Sequence, residues 1–139
     1  VSIDNGSRST AIAGEDLIAL NAKVHVHIKI QCPNWLDVNR VQIFLNGKMA
    51  ENLNFTRRTH APMFGNDVVK FQATIPVELT EDTHIIVATA GEDLLVGRVQ
   101  GPRFGGLMPA AVANPVYVDI DGDGFGPNRD NLGVDISVK

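Results

Sequence analysis

Cysteine, tryptophan and tyrosine occur once each in 139 residues. A lone Cys32 excludes an internal disulfide and any cysteine-cluster zinc site. It stands between Gln31 and Pro33 with no histidine beside it, so it reads as a buried or strand-end thiol rather than a nucleophile. Aromatic residues make up 6% of the chain, leaving Trp35 and Tyr117 as the sole Trp and Tyr for stacking on a sugar. Basic stripes are missing as well. The net charge is −4, which argues against a nucleic-acid backbone as a partner, and none is expected. No apolar run approaches the roughly 18–20 residues needed to span a bilayer, and no membrane partner is expected. What remains is ordinary globular composition, with 44% apolar and 20% charged residues, enough for one domain with a real core. Strand-like text starts directly at Val1, so residues 1–139 read as one domain excised or processed from a larger protein.

The dominant hydrophobic period is two. From Ala22 to Ile30, Val24, Val26, Ile28 and Ile30 alternate with Lys23, His25, His27 and Lys29, the signature of a half-buried strand. Val41, Ile43 and Leu45 repeat the pattern up to Asn46-Gly47, the strongest short hairpin signal, with Lys48–Leu53 as the returning strand. Residues 67–77 place Val69, Phe71, Ala73, Ile75 and Val77 on one face. The nearly continuous apolar run Thr83–Ala90 suits a central strand, and Leu94–Val99 reads as its short return. Val116–Ile120 is the last clear strand, Val134–Val138 a weaker one. Only Gly14–Ala22 offers room for a turn of helix. Together these predict an all-β fold: an immunoglobulin-like antiparallel β-sandwich carrying a C-terminal acidic calcium-type loop. Trp35 is expected in its core. The segments 54–66 and 101–109 are expected to be its long loops.

Residues 119–130 read Asp-Ile-Asp-Gly-Asp-Gly-Phe-Gly-Pro-Asn-Arg-Asp. Four carboxylates against one arginine give this stretch −3 of the chain's −4. The pattern is that of a calcium loop, with carboxylates at positions one, three, five and twelve and glycine at six. Asp119, Asp121, Asp123 and Asp130 are the candidate side-chain ligands, and Phe125 the candidate carbonyl donor. Gly122 and Gly124 permit the positive φ that wraps a chain around an ion. The upstream flank is a strand rather than a helix, and Asp130 stands where a bidentate Glu is usual. Both features favour structural calcium over a signalling switch. Strand alternation also puts Tyr117, Asp119 and Asp121 on the outer face.

The other polar clusters are blander. His25 and His27 share a strand face, but Lys23 and Lys29 flank them, and a solvated sheet face is the expected reading. His60 and His84 have no partner in sequence. Thr56-Arg57-Arg58-Thr59 is polar loop text that could touch an anion or a neighbouring domain. No nucleophile and base can be paired from local sequence, so no catalytic residue and no enzymatic activity are expected of this domain.

Cys32-Pro33-Asn34-Trp35, then Asp37-Val38-Asn39-Arg40-Val41-Gln42 and Asn46-Gly47, and finally Asn114–Phe125 resemble the C-terminal β-sandwich of bacterial metallohydrolases of the CehA/McbA-like, PHP-type class. The resemblance runs roughly from Val1 to Gly133. It implies an accessory module of a large exported protein, extracellular or periplasmic, whose catalytic domain precedes it in the same chain and holds the hydrolytic metal. Of the site residues, only the acidic loop carries over. The rival reading is a module that binds polysaccharide or a cell surface through the 54–66 and 101–109 loops.

Overall fold

The computed structural model describes residues 1–7 and 9–127. Among these, ten strands follow one another: β1 Ser2–Asp4, β2 Thr10–Ile12, β3 Asp16–Ile18, β4 Lys23–Gln31, β5 Arg40–Leu45, β6 Lys48–Thr56, β7 Val69–Glu78, β8 Thr83–Ala90, β9 Ala110–Val112 and β10 Val116–Asp119. One helical turn, α1, covers Gly101–Phe104. The strands form two sheets. The first has the order β2-β1-β4-β7; the second has the order β3-β10-β8-β5-β6, with β9 also paired to β8.

Alternation in sequence becomes the division between core and surface. Val24, Val26 and Ile28 of β4 are buried, and Ile30 packs against the core. Phe71, Ile75 and Val77 join them from β7, opposed by Val41, Ile43, Ile85, Val87, Val116 and Val118 of the second sheet. At roughly 1.5–3 kcal/mol for each fully buried large apolar side chain, this shared layer is the main favourable term. The Asn46-Gly47 turn takes positive φ at both residues, 49° and 75°, which matches the twist of the β5–β6 hairpin.

Several expectations fail for identifiable reasons. The sandwich is not wholly antiparallel, because β3 pairs in parallel with β10, and the Gly14–Ala22 stretch holds the short strand β3 between turns rather than a helix. Leu94–Val99 forms no strand; the chain makes a long excursion first, and β9 takes the place beside β8. The β6 strand runs three residues past Leu53, to Thr56, so residues 54–56 of the expected loop belong to the sheet. Trp35 is 47% exposed. A turn closed by the Leu36 amide on the Pro33 carbonyl (2.9 Å) carries it outward, while Phe55, Phe64 and Phe71 fill the core at that end through ring contacts of 4.9–6.0 Å. Lys70, on the outward side of β7, is nonetheless 2% exposed. The 57–68 loop folds over it, with the Gly65 amide donating to the Lys70 carbonyl (3.0 Å) and the Lys70 ammonium donating to the Asn66 carbonyl (3.4 Å). Val134–Val138 lies outside the described residues.

The strand directions gather the loops at two opposite ends. The connections 32–39, 57–68 and 91–109 leave from one end. The Asn46-Gly47 hairpin, the β7–β8 turn and the acidic loop occupy the other.

Candidate metal centre

The acidic loop starts where β10 leaves the second sheet. Thr83 of β8 pairs with Val118, so one residue further in each direction sets Asp82 beside Asp119. The ligand-type oxygens of Asp82, Asp119, Asp121 and Asp123 all lie within 4.8 Å of one another. Three of these are the residues the loop pattern nominated. Asp82 is not. It lies 37 positions upstream of Asp119, and only the β8–β10 register brings it in.

The carboxylates have different duties. Asp119 is buried, not outward-facing as strand alternation suggested. One of its oxygens accepts the amides of Asp121 (3.1 Å) and Gly122 (2.6 Å), and the other that of Gly124 (3.0 Å). Those bonds, Gly122's foremost, hold its carboxyl below the usual range against the opposing effect of burial. They use three of about four acceptor sites. Asp82 accepts the Ile120 amide (3.0 Å) on one oxygen and the Gly126 amide (2.7 Å) on the other. It clamps the two ends of the loop and keeps a lone pair free on each oxygen. Asp121 and Asp123 are exposed. Asp123 is pushed above the ordinary carboxylate range, first by its contact with the Asp121 carboxylate. Carboxylates this close repel unless a proton or cation intervenes.

Local backbone chemistry makes the curl possible. Gly122 and Gly124 have φ of 84° and 103°, a region that favours glycine. At Gly122 a β-carbon would also come within 3.1 Å of the Leu20 side chain. Phe125 lays its ring edge-on against Tyr117 (5.0 Å between centroids), pinning the loop to β10. Asp130, the expected closing ligand, lies outside the described residues.

The remaining sequence candidates fall elsewhere. His25 and His27 stand half-exposed on the outer face of β4, as alternation requires. Both are tied to Asp4 of β1, a partner that sequence alone did not reveal. His25 Nδ1 donates to one Asp4 oxygen (3.1 Å) and His27 Nε2 to the other, while Thr74 Oγ1 bonds His27 Nδ1 (2.9 Å). The His27 bond, the Gly6 amide and the His25 bond lower the Asp4 pKa to about 2. Arg57 is held by Asp37 (2.8 Å) and by the Val38 carbonyl. Cys32 is half-buried, its thiol donating to the Leu36 carbonyl (3.3 Å). Desolvation raises its pKa, the opposite of what a reactive thiolate needs.

No family model, curated protein or solved structure matches the chain. A two-sheet, sandwich-like fold with four aspartates able to hold a metal ion is what is established.

Proposed function

We propose that this domain is a non-catalytic accessory module, an immunoglobulin-like sandwich stiffened at one end by structural calcium, in a larger exported protein of PHP-type metallohydrolase character. Its partner in that reading is the catalytic domain of the same chain. One observation carries the calcium assignment: Asp82, remote in sequence, converges on the three loop carboxylates. An all-oxygen, strongly anionic and partly exposed set suits an ion that takes six to eight oxygens. Asp82, Asp119, Asp121 and Asp123 would supply side-chain ligands, with the Phe125 carbonyl and Asp130 completing the set. The millimolar calcium outside cells fits a site with two exposed ligands. The non-catalytic reading is supported by the histidines, since both His27 nitrogens and one His25 nitrogen are already engaged with Asp4 and Thr74.

The polysaccharide reading keeps one point in its favour, the exposure of Trp35 at the end where the long loops emerge. Against it, only Gln100 supplies an uncharged polar side chain in residues 94–109.

Isothermal titration with calcium tests the assignment. One site per chain is expected, with magnesium binding much more weakly. Asp82→Ala and Asp121→Ala should each remove the heat, and Asp37→Ala should leave it. Absence of binding at millimolar calcium would reject the proposal.

A further inference from the structure

The loop end of the sandwich breaks the usual rule for apolar side chains. Between β8 and β9, Leu95, Val99, Phe104, Leu107 and Met108 are 48–66% exposed. The segment is built rather than slack. The Val96 amide donates to Leu107 (2.9 Å), Gly97 to Gly105 (2.9 Å), and Gly91 to the Pro109 carbonyl at its base (2.8 Å). At Gly105 a β-carbon would lie 2.8 Å from the Gly97 carbonyl oxygen, so the crossing is close-packed. An ordered loop that holds large apolar groups in water is normally made for contact.

Its charge and polarity identify the contact. From Leu94 to Pro109 there are two arginines, Arg98 and Arg103, and no carboxylate, in a chain whose net charge is −4. Arg103 lies over the Phe104 ring (5.2 Å), and Arg98 borders a shallow apolar concavity of about 440 Å³ formed with Leu95 and Pro102. At the base stand the two acids of this end of the loop, Glu92, paired with Arg40 (2.7 Å), and the exposed Asp93. A protein interface surrounds its apolar core with a polar rim and about ten direct hydrogen bonds, and this loop has Gln100 alone among uncharged polar side chains. Apolar groups interleaved with cations, with no acid between Leu94 and Pro109 and almost no directional polarity, match an anionic lipid surface. The acidic cluster lies at the opposite end of β8, about 25 Å away for eight strand residues and beyond a Debye length of roughly 8–10 Å. It would not oppose the approach.

We infer that the 94–108 loop docks the domain onto anionic membrane surfaces, inserting Leu95, Val99, Phe104, Leu107 and Met108 at headgroup depth while Arg98 and Arg103 engage lipid phosphates. Such docking requires no spanning segment. Trp35, the sole tryptophan, stands exposed at the same end and serves as a built-in reporter.

The test is cosedimentation of the 139-residue chain with vesicles of phosphatidylcholine alone, or with roughly one-third phosphatidylglycerol, in chelator so that calcium cannot bridge the acidic end to phosphate. Binding to the anionic vesicles is expected, with a blue shift of Trp35 emission. Phe104→Asp with Leu107→Asp should abolish it. Arg98→Glu with Arg103→Glu should weaken it at least tenfold. These positions are exposed, and melting curves will show whether each variant keeps its fold. No binding by the wild type, or binding that both pairs leave unchanged, overturns the inference. So does a concentration-dependent dimer, seen by sedimentation velocity, that the same substitutions dissolve, since the loop's partner would then be protein.

Discussion

At its Thr83 end β8 runs into carboxylates, and at its Ala90 end into a loop that holds leucine, valine, phenylalanine and methionine out to solvent. Both ends keep side chains where folding alone would not put them, in opposite senses. The carboxylate end compensates locally. Six backbone amides, all from residues 120–126, point at Asp82, Asp119 and Asp121, and only the repulsion around Asp123 is left over. The loop end compensates by position. Phe55, Phe64 and Phe71 fill the core at that end of the sandwich, and the exposed residues of the loop are not part of that core. Polar excess at one end calls for an ion; apolar excess at the other calls for a surface.

The largest effect should come from breaking that aromatic cluster. Phe71 is fully buried between Phe55 and Phe64, and Phe71→Ala should cost about 3–5 kcal/mol. Chemical denaturation in chelator measures it, and a loss below about 1 kcal/mol would show that the loop end closes by other means.

A smaller effect separates the carboxylates by pH. In calcium-free buffer the raised Asp123 binds its proton more readily in the folded state. Its repulsion is therefore relieved, and stability gained, as pH falls from neutrality through that raised value toward the unfolded value near 4. Asp119 and Asp4 are shifted down, so the stability they contribute is present above about pH 4 and lost below it; for Asp4 the loss ends near its folded value of about 2. Asp123→Asn should erase the gain on mild acidification and leave the loss below pH 4. A variant with an unchanged profile would show that Asp123 carries no repulsion.

The smallest effect belongs to the exposed loop. Leu107→Ser should change unfolding free energy by less than about 0.5 kcal/mol, because Leu107 is already half in water. A loss of 2 kcal/mol would mean that the loop is part of the core.

How much of this was legible in the sequence follows from how far each feature reaches. Strands β4, β5, β7 and β10 declared themselves by alternation, β8 by its nearly continuous apolar run, and β6 only as the return from the Asn46-Gly47 turn. Strands β1, β2, β3 and β9 have three residues each, too few to show a period. Parallel pairing of β3 with β10 has no local signature. In the site, Asp119, Asp121 and Asp123 were readable because a calcium loop is local. Asp82 was not, because its place depends on strand register across the sheet. Asp4 between two histidines was hidden in the same way. The burial of Lys70 and the exposure of Trp35 were missed for a related reason: a covering loop or an outward turn decides them, and neither is encoded in strand alternation.

The most direct test compares melting of the wild type and Asp82→Asn in millimolar calcium and in chelator. The wild type should gain about 2.7 kcal/mol at a hundredfold excess of calcium over Kd. Asp82→Asn should fold in chelator yet lose most of that gain, because one carboxylate of the four is gone. An equal calcium shift in Asp82→Asn would show that the ion does not sit where β8 meets the loop, and no shift in the wild type would show that it does not bind at all.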